Sequence, residues 1–250
     1  MQKMIHKLYH YTTLNNLALI LSSKSIRFGR LDKVNDPMEG QSSDFHSLAI
    51  FIFVSCWTNN DEENLALWNM YTPQMRGVRI ELTLPIFNSY NLAEVENQLC
   101  KREEFVNETD KIFILGGRNI PYPIEYTEDE EKLAPKIKTD IGLHVDQLAR
   151  YKKQIWSLEQ EYRYKLDIVP LNENISEKYF SNRYMDFVQK SIPPVIESYY
   201  IKIKDESFAT MKILLSPKCL LGDMEIVSAL TEKYNPTATV SESSLTGFIR

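Results

Sequence analysis

Apolar and polar residues alternate over several short segments of this chain, which is the pattern of β-strands with one buried face. The segments predicted as strands on this basis cover residues 7–11, 26–31, 77–84 and 112–115. Residues 50–57 are apolar at nearly every position, which is typical of a strand buried on both faces at the centre of a sheet. Towards the end of the chain, three further strands are expected at residues 199–203, 211–215 and 237–241.

Apolar residues at helical spacing predict the helices. Leu14, Leu17 and Leu21 lie on one stripe of a helix, and Thr12 or Thr13 can cap the N-terminus of this helix. Similar spacing, or a favourable distribution of charge, predicts further helices over residues 61–71, 93–105, 137–151 and 224–234.

The order of these elements indicates a single α+β domain over residues 1–250. No internal repeat, low-complexity tract or linker-like change of composition divides the chain. The sheet is expected to be mixed and mostly antiparallel, with helices at its flanks. Residues 85–153 are expected to form a variable, helical insertion in this domain.

Composition and charge argue against several classes of protein. The three cysteines form no CxxC motif and no Cys/His cluster, which argues against a disulfide framework and a structural zinc site. A net charge of −5 gives no general attraction to nucleic-acid backbones. No apolar run approaches the roughly 20 residues of a membrane helix, and no signal-peptide pattern is present, so a cytoplasmic protein without membrane contact is expected.

Two polar signatures interrupt the apolar pattern: LYHYT at residues 8–12 and WSLEQEYR at residues 156–163. Residues two apart share one face of a strand, so Glu159, Glu161 and Arg163 are predicted to point the same way. A solvated edge strand, with an ion pair worth about 0–1 kcal/mol, would show the same pattern. His10 is similarly either a hydrogen-bonded core residue or a functional group.

Other candidates also have two interpretations. Arg27 is either an ordinary surface charge or a guanidinium group that binds phosphate oxygens. Trp68 and Trp156 are expected to be buried supports rather than ligand contacts.

The sequence contains none of the motifs of P-loop, Rossmann, α/β-hydrolase or zincin sites, which removes the support for those common activities.

The order of the motifs resembles a widespread bacterial family that is catalogued as a domain of unknown function. The resemblance rests on LYHYT at 8–12, IRF at 26–28, NDPME at 35–39, VSCW at 54–57, LWNMY at 67–71, GVRIE at 77–81 and WSLEQEYR at 156–163. It covers most of the chain outside residues 85–153.

The chain is also distantly similar to the ADP-ribosyltransferase superfamily. Enzymes of this superfamily carry a histidine or arginine on their first core strand, a serine or aromatic site on a middle strand and a glutamate on a late strand. His10, Ser55 and Glu161 occur here in that order. The resemblance implies a split sheet, NAD as the substrate without a metal, and Glu161 as the catalytic residue beside Glu159.

The resemblance further implies a set of nucleotide-binding residues, which are His10, Tyr11, Thr12, Arg27, Ser55, Trp57, Tyr71 and Arg163. The implied reaction cleaves the nicotinamide glycosidic bond of NAD and transfers ADP-ribose to a protein or nucleic-acid acceptor, in the setting of a toxin or phage-defence effector. The alternative is a non-catalytic module that senses a nucleotide or binds a protein. For an enzyme, Glu161 is expected in one concave site with His10 and Tyr11. The sequence leaves the acceptor and the oligomeric state open.

Overall fold

The computed structural model describes residues 5–46, 48–92, 95–101, 103–108, 110–140, 142–171 and 187–249. In these ranges the chain forms an α+β fold with a large, mostly antiparallel mixed sheet and few helices at its flanks. The predicted fold class is therefore confirmed. None of the described helices is long and apolar enough to cross a membrane.

Strands are the most frequent regular elements of the described structure. They are β1 (Lys7–Thr12), β2 (Ser25–Arg30), β3 (Ile52–Thr58), β4 (Val78–Thr83), β5 (Tyr90–Leu92), β6 (Val95–Gln98), β7 (Glu103–Phe105), β8 (Lys111–Gly116), β9 (Tyr122–Pro123), β10 (Glu125–Thr127), β11 (Lys138–Thr139), β12 (Gly142–Leu143), β13 (Tyr151–Lys153), β14 (Glu161–Leu171), β15 (Ser198–Lys202), β16 (Lys212–Leu215) and β17 (Thr239–Ser241).

The large sheet has the strand order β17-β16-β4-β1-β3-β14-β8-β7. In addition, β2 pairs with β3 and with β15, and β9 pairs with β14. The pair β16–β17 is parallel, whereas the other pairs recorded in this sheet are antiparallel. In the described ranges, the small two-stranded sheets β10–β13, β11–β12 and β5–β6 lie outside it.

The described helices are short. The described α-helices include α1 (Leu14–Ser23), α2 (Leu65–Tyr71), α3 (Glu130–Leu133), α4 (Asp205–Ala209) and α5 (Leu221–Tyr234). Short stretches of 3-10 turn occur at Leu31–Lys33, Leu48–Phe51, Pro73–Met75, Val145–Gln147 and Gln154–Glu159.

Helix α1 forms where the sequence predicts it, and local residues set both of its ends. The Thr13 side chain accepts a hydrogen bond of 3.1 Å from the backbone N–H of Asn16, which caps the N-terminus. Lys24 takes the left-handed conformation, with φ of 50°, and ends the helix. Leu17 and Leu21 are buried, so the helix packs through the predicted apolar stripe.

Strand β3 is central, and one of its edges is only partly paired. The β1 strand meets this edge through the Tyr9–Thr58 pair, and β2 meets it further along at Val54 and Phe53. Between these two contacts, the pairings recorded for the described strands leave residues 55–57 open on this edge. The opposite edge of β3 is paired with β14 throughout. A gap in the sheet therefore lies beside residues 55–57, between β1 and β2.

The two faces of the sheet carry separate apolar clusters. On β3, Phe53 belongs to the main cluster, whereas its neighbours Ile52 and Val54 belong to a second cluster. Because successive side chains of a strand point to opposite faces, the two clusters lie on opposite sides of the sheet. Helices α1 and α5 contribute to the main cluster, and the 3-10 turn Leu48–Phe51 contributes to the second.

The predicted helices over residues 93–105 and 137–151 are wrong. The first range contains β6 and β7, with Asn97 in the left-handed conformation at φ of 57°, which does not continue a helix. The second contains β11, β12, a 3-10 turn and the start of β13. There the carboxylate of Asp44 accepts hydrogen bonds from the backbone N–H groups of Ile137 and Lys138, at 3.2 and 2.8 Å, and holds the chain extended. Residues 93, 94, 102 and 141 lie outside the described ranges.

Residues 85–153 are accordingly not a helical insertion in their described part. Short strands dominate this region, and α3 is its one described α-helix. Strand β8 pairs with β14 of the large sheet, and β13 brings Lys152 to the site described next.

Candidate functional site

Five ionisable side chains are buried together near the start of β14. They are the carboxylates of Glu39, Glu159 and Glu161 and the cations of Lys152 and Arg163, and each side chain is at most 5% exposed. We call these five residues the buried charge cluster. Charges are removed from water at a large cost in free energy, so a cluster of this kind requires close pairing.

Lys152 joins the three carboxylates. Its Nζ atom lies 2.6 Å from Oε2 of Glu159, 3.2 Å from Oε2 of Glu161 and 3.2 Å from Oε1 of Glu39. An ammonium group has three N–H donors, and here each one has a carboxylate within reach. No pattern in the sequence predicted a role for Lys152, although it is the residue that links the cluster.

Arg163 pairs two of the same carboxylates from the other side. Its Nε atom donates to Oε1 of Glu161 at 2.6 Å, and its Nη1 atom donates to Oε2 of Glu39 at 2.5 Å and to the carbonyl oxygen of Ala149 at 3.0 Å. The guanidinium group is only 1% exposed. Arg163, predicted to bind a nucleotide, therefore lies behind Glu161 and fixes its position.

The prediction that Glu159, Glu161 and Arg163 share one face of a strand is correct for two of these three residues. Glu161 and Arg163 lie on β14, whereas Glu159 ends the 3-10 turn Gln154–Glu159. Gln160 takes the left-handed conformation, with φ of 46°, and separates the turn from the strand. Glu159 nevertheless reaches the same cluster, because Lys152 contacts it together with Glu161.

A tight turn in the NDPME motif places Glu39. The Asp36 carboxylate accepts a hydrogen bond of 3.0 Å from the backbone N–H of Met38, as in an Asx-turn. Gly40 follows with φ of +73°, and a Cβ atom there would lie 2.7 Å from Cδ2 of Leu31. A glycine is thus needed at this position, and the turn directs the Glu39 side chain into the cluster.

A small cavity of about 60 Å³ lies against the carboxylates of this cluster. Aromatic side chains form much of its wall, with Glu159 and Glu161 completing the polar part; the lining residues are Tyr9, His10, Tyr11, Cys56, Trp57, Thr58, Leu67, Tyr71, Glu159 and Glu161. Glu161, His10 and Tyr11 therefore share one concave site, as the sequence predicts.

The aromatic side chains are held by specific contacts. The rings of His10 and Trp57 lie 5.1 Å apart at an angle of 44°, and the Trp57 indole donates to the Ser55 hydroxyl at 2.9 Å. Tyr71 donates its hydroxyl proton to Oε1 of Glu159 at 2.7 Å. Tyr11 packs edge-on against Trp68, with ring centroids 4.7 Å apart.

His10 is placed at the gap in the sheet. Its Nδ1 atom lies 2.9 Å from the carbonyl oxygen of Cys56, a residue on the open edge of β3. A carbonyl oxygen only accepts, so Nδ1 carries the proton and Nε2 of the neutral ring is an acceptor. Burial lowers the pKa of His10, although the bond to Cys56 opposes this effect, and the neutral form is therefore favoured.

The two cavity carboxylates differ in their pKa. Burial by itself raises the pKa of a carboxyl group, but for Glu161 the charges of Arg163 and Lys152 outweigh it, and the pKa lies below the ordinary value. For Glu159 burial prevails over the attraction of Lys152, and its pKa is raised. Glu161 is therefore the more strongly ionised member of the pair.

A wider groove of about 270 Å³ adjoins the cavity, and both share His10, Tyr11, Cys56 and Tyr71 in their walls. Thr12, Arg27 and Ser55 also line this groove. The Nε atom of Arg27 donates to the Ser198 hydroxyl at 2.7 Å, which orients an otherwise exposed guanidinium group.

Other cations at the groove are already paired. Arg30 makes two hydrogen bonds to the Asp32 carboxylate, of 2.6 and 2.9 Å, and Lys33 lies 3.8 Å from Glu197. For Arg27 the described residues provide no carboxylate within ion-pair distance, so this guanidinium is open to an anionic ligand.

The structure thus brings together nearly all residues that the sequence singled out. His10, Tyr11, Trp57, Tyr71, Glu159 and Glu161 line the cavity, and Thr12, Arg27 and Ser55 line the groove. Arg163 lies behind them. The site also contains Glu39, Lys152 and Cys56, which were not predicted from the sequence, although Glu39 lies in the NDPME motif and Cys56 in the VSCW motif.

Comparison of the chain with protein-family models, with curated proteins and with solved structures gives no match in any of the three. Within the described ranges, no group of three or more His, Cys, Asp and Glu side chains is arranged to hold a metal ion. The function of the site has therefore to be inferred from its own geometry and chemistry.

Proposed function

We propose that this protein is an ADP-ribosyltransferase-like enzyme that binds NAD and cleaves its nicotinamide glycosidic bond. The observation that carries the proposal is the buried carboxylate of Glu161, held between Arg163 and Lys152 in the wall of an aromatic cavity. Its acceptor is proposed to be a protein or a nucleic acid. Action in the cytoplasm as a toxin or phage-defence effector is the corresponding biological proposal.

The aromatic cavity suits a cationic ring. The nicotinamide of NAD is a pyridinium, and aromatic faces together with carboxylates attract such a cation. The rings of Trp57 and Tyr71 and the carboxylate of Glu161 supply these groups. The cavity volume of about 60 Å³ is far below the roughly 300–1,000 Å³ of a cleft that encloses a whole ligand, so only the nicotinamide end would enter.

The remainder of NAD would lie along the groove. Arg27, which has a free face towards the groove, would bind the pyrophosphate through its guanidinium group. The Thr12 hydroxyl accepts a hydrogen bond of 3.1 Å from the Asn16 amide, and this polar pair is available to ribose hydroxyls. The neutral His10 ring offers Nε2 as a further acceptor.

The proposed chemistry requires an anion beside the ribose. As the C–N bond breaks, nicotinamide leaves with the bonding electrons, and positive charge develops at the ribose carbon. A carboxylate that is already ionised and fixed in position stabilises this charge without reorganisation. Glu161 meets both conditions, because Arg163 and Lys152 hold it in place. The acceptor nucleophile then forms the new bond to the carbon and releases its proton.

A specific observation favours the second candidate, a non-catalytic nucleotide-binding module. Oε1 of Glu161 accepts from Arg163 and Oε2 accepts from Lys152, so each oxygen has a protein partner before any ligand arrives. A carboxylate whose two oxygens are already paired stabilises the positive charge of the transition state less strongly. In the module, the aromatic cavity and Arg27 would bind the nucleotide without turnover.

The experiment that tests the proposal is nicotinamide release from NAD by the purified full-length chain and by Glu161→Gln. Removing one preorganised group commonly costs about a hundred- to thousandfold in rate, and this is the expected loss. Glu62→Gln, at an exposed position, is the matched control and is expected to retain the wild-type rate. Calorimetric NAD binding by Glu161→Gln is expected to persist.

Two other outcomes contradict the enzyme proposal. Binding of NAD without nicotinamide release by the wild type supports the module instead. Absence of both binding and release, from a protein that melts cooperatively, excludes NAD as the ligand.

A further inference from the structure

A second cavity, of about 500 Å³, lies further along the same face of β14. Glu161, Arg163, Lys165 and Asp167 alternate on this strand and therefore share one face. Glu161 lines the first cavity, whereas Lys165 and Asp167 line the second. Among the described residues, none that lines the second cavity also lines the first cavity or the groove.

Cationic side chains line part of this second cavity, together with the carboxylates of Asp146 and Asp167. Arg118 and Arg150 line it and are exposed to solvent, and Lys165 lines it from the strand. Arg150 lies 3.6 Å from Glu125, but both of these side chains are about half exposed, so the pair is weak and easily exchanged for another anion. Arginine groups of this kind bind phosphate oxygens through paired N–H donors.

Apolar and aromatic side chains also line the second cavity. Ile114, Ile120 and Tyr122 provide an apolar surface, and the Tyr122 hydroxyl is fixed by the carbonyl oxygen of Ala149 at 3.3 Å. Asp167 also lines the cavity; one of its oxygens lies 3.3 Å from the Nζ atom of Lys165, and its side chain retains 11% exposure. Its carboxyl group can accept a hydrogen bond from a ligand.

We propose that the second cavity binds a nucleoside monophosphate. Arg118 and Arg150 bind the phosphate, the base lies against Tyr122, and Asp167 accepts a hydrogen bond from an amino group of the base. A cavity of about 500 Å³ falls within the roughly 300–1,000 Å³ that is usual for small-molecule sites. A free inorganic anion would use the arginines but would leave the apolar wall uncovered.

This site is independent of the proposed function, because its residues do not overlap those of the NAD site. The test is calorimetric titration of the full-length chain with adenosine monophosphate, ribose 5-phosphate and adenosine. Adenosine monophosphate is expected to bind about tenfold more tightly than either fragment, since it uses both the arginines and the apolar wall.

Variants assign the binding to the second cavity. The double substitution Arg118→Gln/Arg150→Gln, at exposed positions, is expected to weaken binding of adenosine monophosphate about tenfold or more. Lys153→Gln, at an exposed position that lines neither cavity nor the groove, is the charge-matched control and is expected to leave it unchanged. Absence of adenosine monophosphate binding, binding that the double substitution leaves unchanged, or equal weakening by Lys153→Gln would each overturn the proposal. A failure of NAD cleavage would not affect this result.

Discussion

Arg163 and Glu161 occupy alternate positions of β14, and the Nε atom of Arg163 lies 2.6 Å from Oε1 of Glu161 with both side chains buried. This pair sets the direction of the Glu161 carboxylate towards the cavity before any ligand is bound. It also lowers the pKa of Glu161, because the nearby guanidinium favours the ionised form. The position of the Glu161 carboxylate depends on the cations of Arg163 and Lys152. Substitution of one of these cations is therefore the most direct test of the buried charge cluster.

Lys152→Met is expected to lower the free energy of unfolding by about 3–5 kcal/mol, because the substitution leaves buried carboxylates without their shared cation. Lys153→Met is the matched control. Lys153 is the exposed neighbour on the same strand, and its substitution is expected to change stability by about 0.5 kcal/mol or less. Urea denaturation monitored by circular dichroism measures both. Equal effects of the two substitutions would show that the buried charge cluster does not depend on Lys152.

The stability of the protein is expected to depend on the protonation of His10. Burial lowers the pKa of His10 in the folded state, so the unfolded chain binds the proton more strongly. This contribution to stability is therefore present above the unfolded pKa of about 6.5 and is lost as the pH falls towards the folded value.

The measurement compares denaturation midpoints of the wild type and His10→Asn at pH 7.5 and pH 5.5, which lie about one unit either side of the unfolded pKa. The variant is expected to lose less stability on acidification, whereas His144→Gln, at an exposed position, is expected to follow the wild type. If His10→Asn loses as much stability on acidification as the wild type does, the pH dependence does not come from His10.

The two tryptophans predicted as buried supports are expected to behave differently. Trp68 is fully buried and packs edge-on against Tyr11, so Trp68→Ala is expected to cost about 3–5 kcal/mol of stability. Trp156 is only half-buried, and the Nζ atom of Lys152 lies 4.8 Å from its ring centre. Trp156→Ala is expected to cost about 1–2 kcal/mol. Thermal and urea unfolding give the comparison, and a larger loss for Trp156→Ala would reverse it.

Arg27→Gln is expected to raise the KM for NAD about tenfold and to leave kcat nearly unchanged. The guanidinium would contact the pyrophosphate equally in the ground state and the transition state, so its loss weakens binding rather than chemistry. Steady-state nicotinamide release measures both constants, with Lys153→Gln as a charge-matched control outside the groove. A fall in kcat at unchanged KM would place Arg27 at the reacting centre instead.

Periodicity in the sequence was sufficient to predict much of the fold. The predicted strands are present, and α1 begins at its predicted cap, because alternation and capping are local properties. The helix predicted over residues 137–151 failed because Asp44, which lies far away in the sequence, bonds to the backbone there. No local pattern reports such a contact.

The site was predictable only where polar residues interrupt apolar strands. His10 and Glu161 could be selected in this way, and the structure places both in one cavity. Lys152 could not be selected from the sequence, since it is followed by Lys153 and the local sequence does not distinguish the two lysines. Their burial differs completely because β13 turns one towards the carboxylates and the other towards solvent.

The buried charge cluster has a consequence for how the chain folds. Arg163 contacts Glu39 across 124 residues of sequence, so the cluster can form only after distant segments have assembled. A slip of one residue in the pairing of β14 with β3 would exchange the faces of its side chains. Arg163 would then enter the main apolar cluster in the place of Tyr164, and its charge would be unpaired. The cluster thereby selects the native register of the central strands over its nearest competitors.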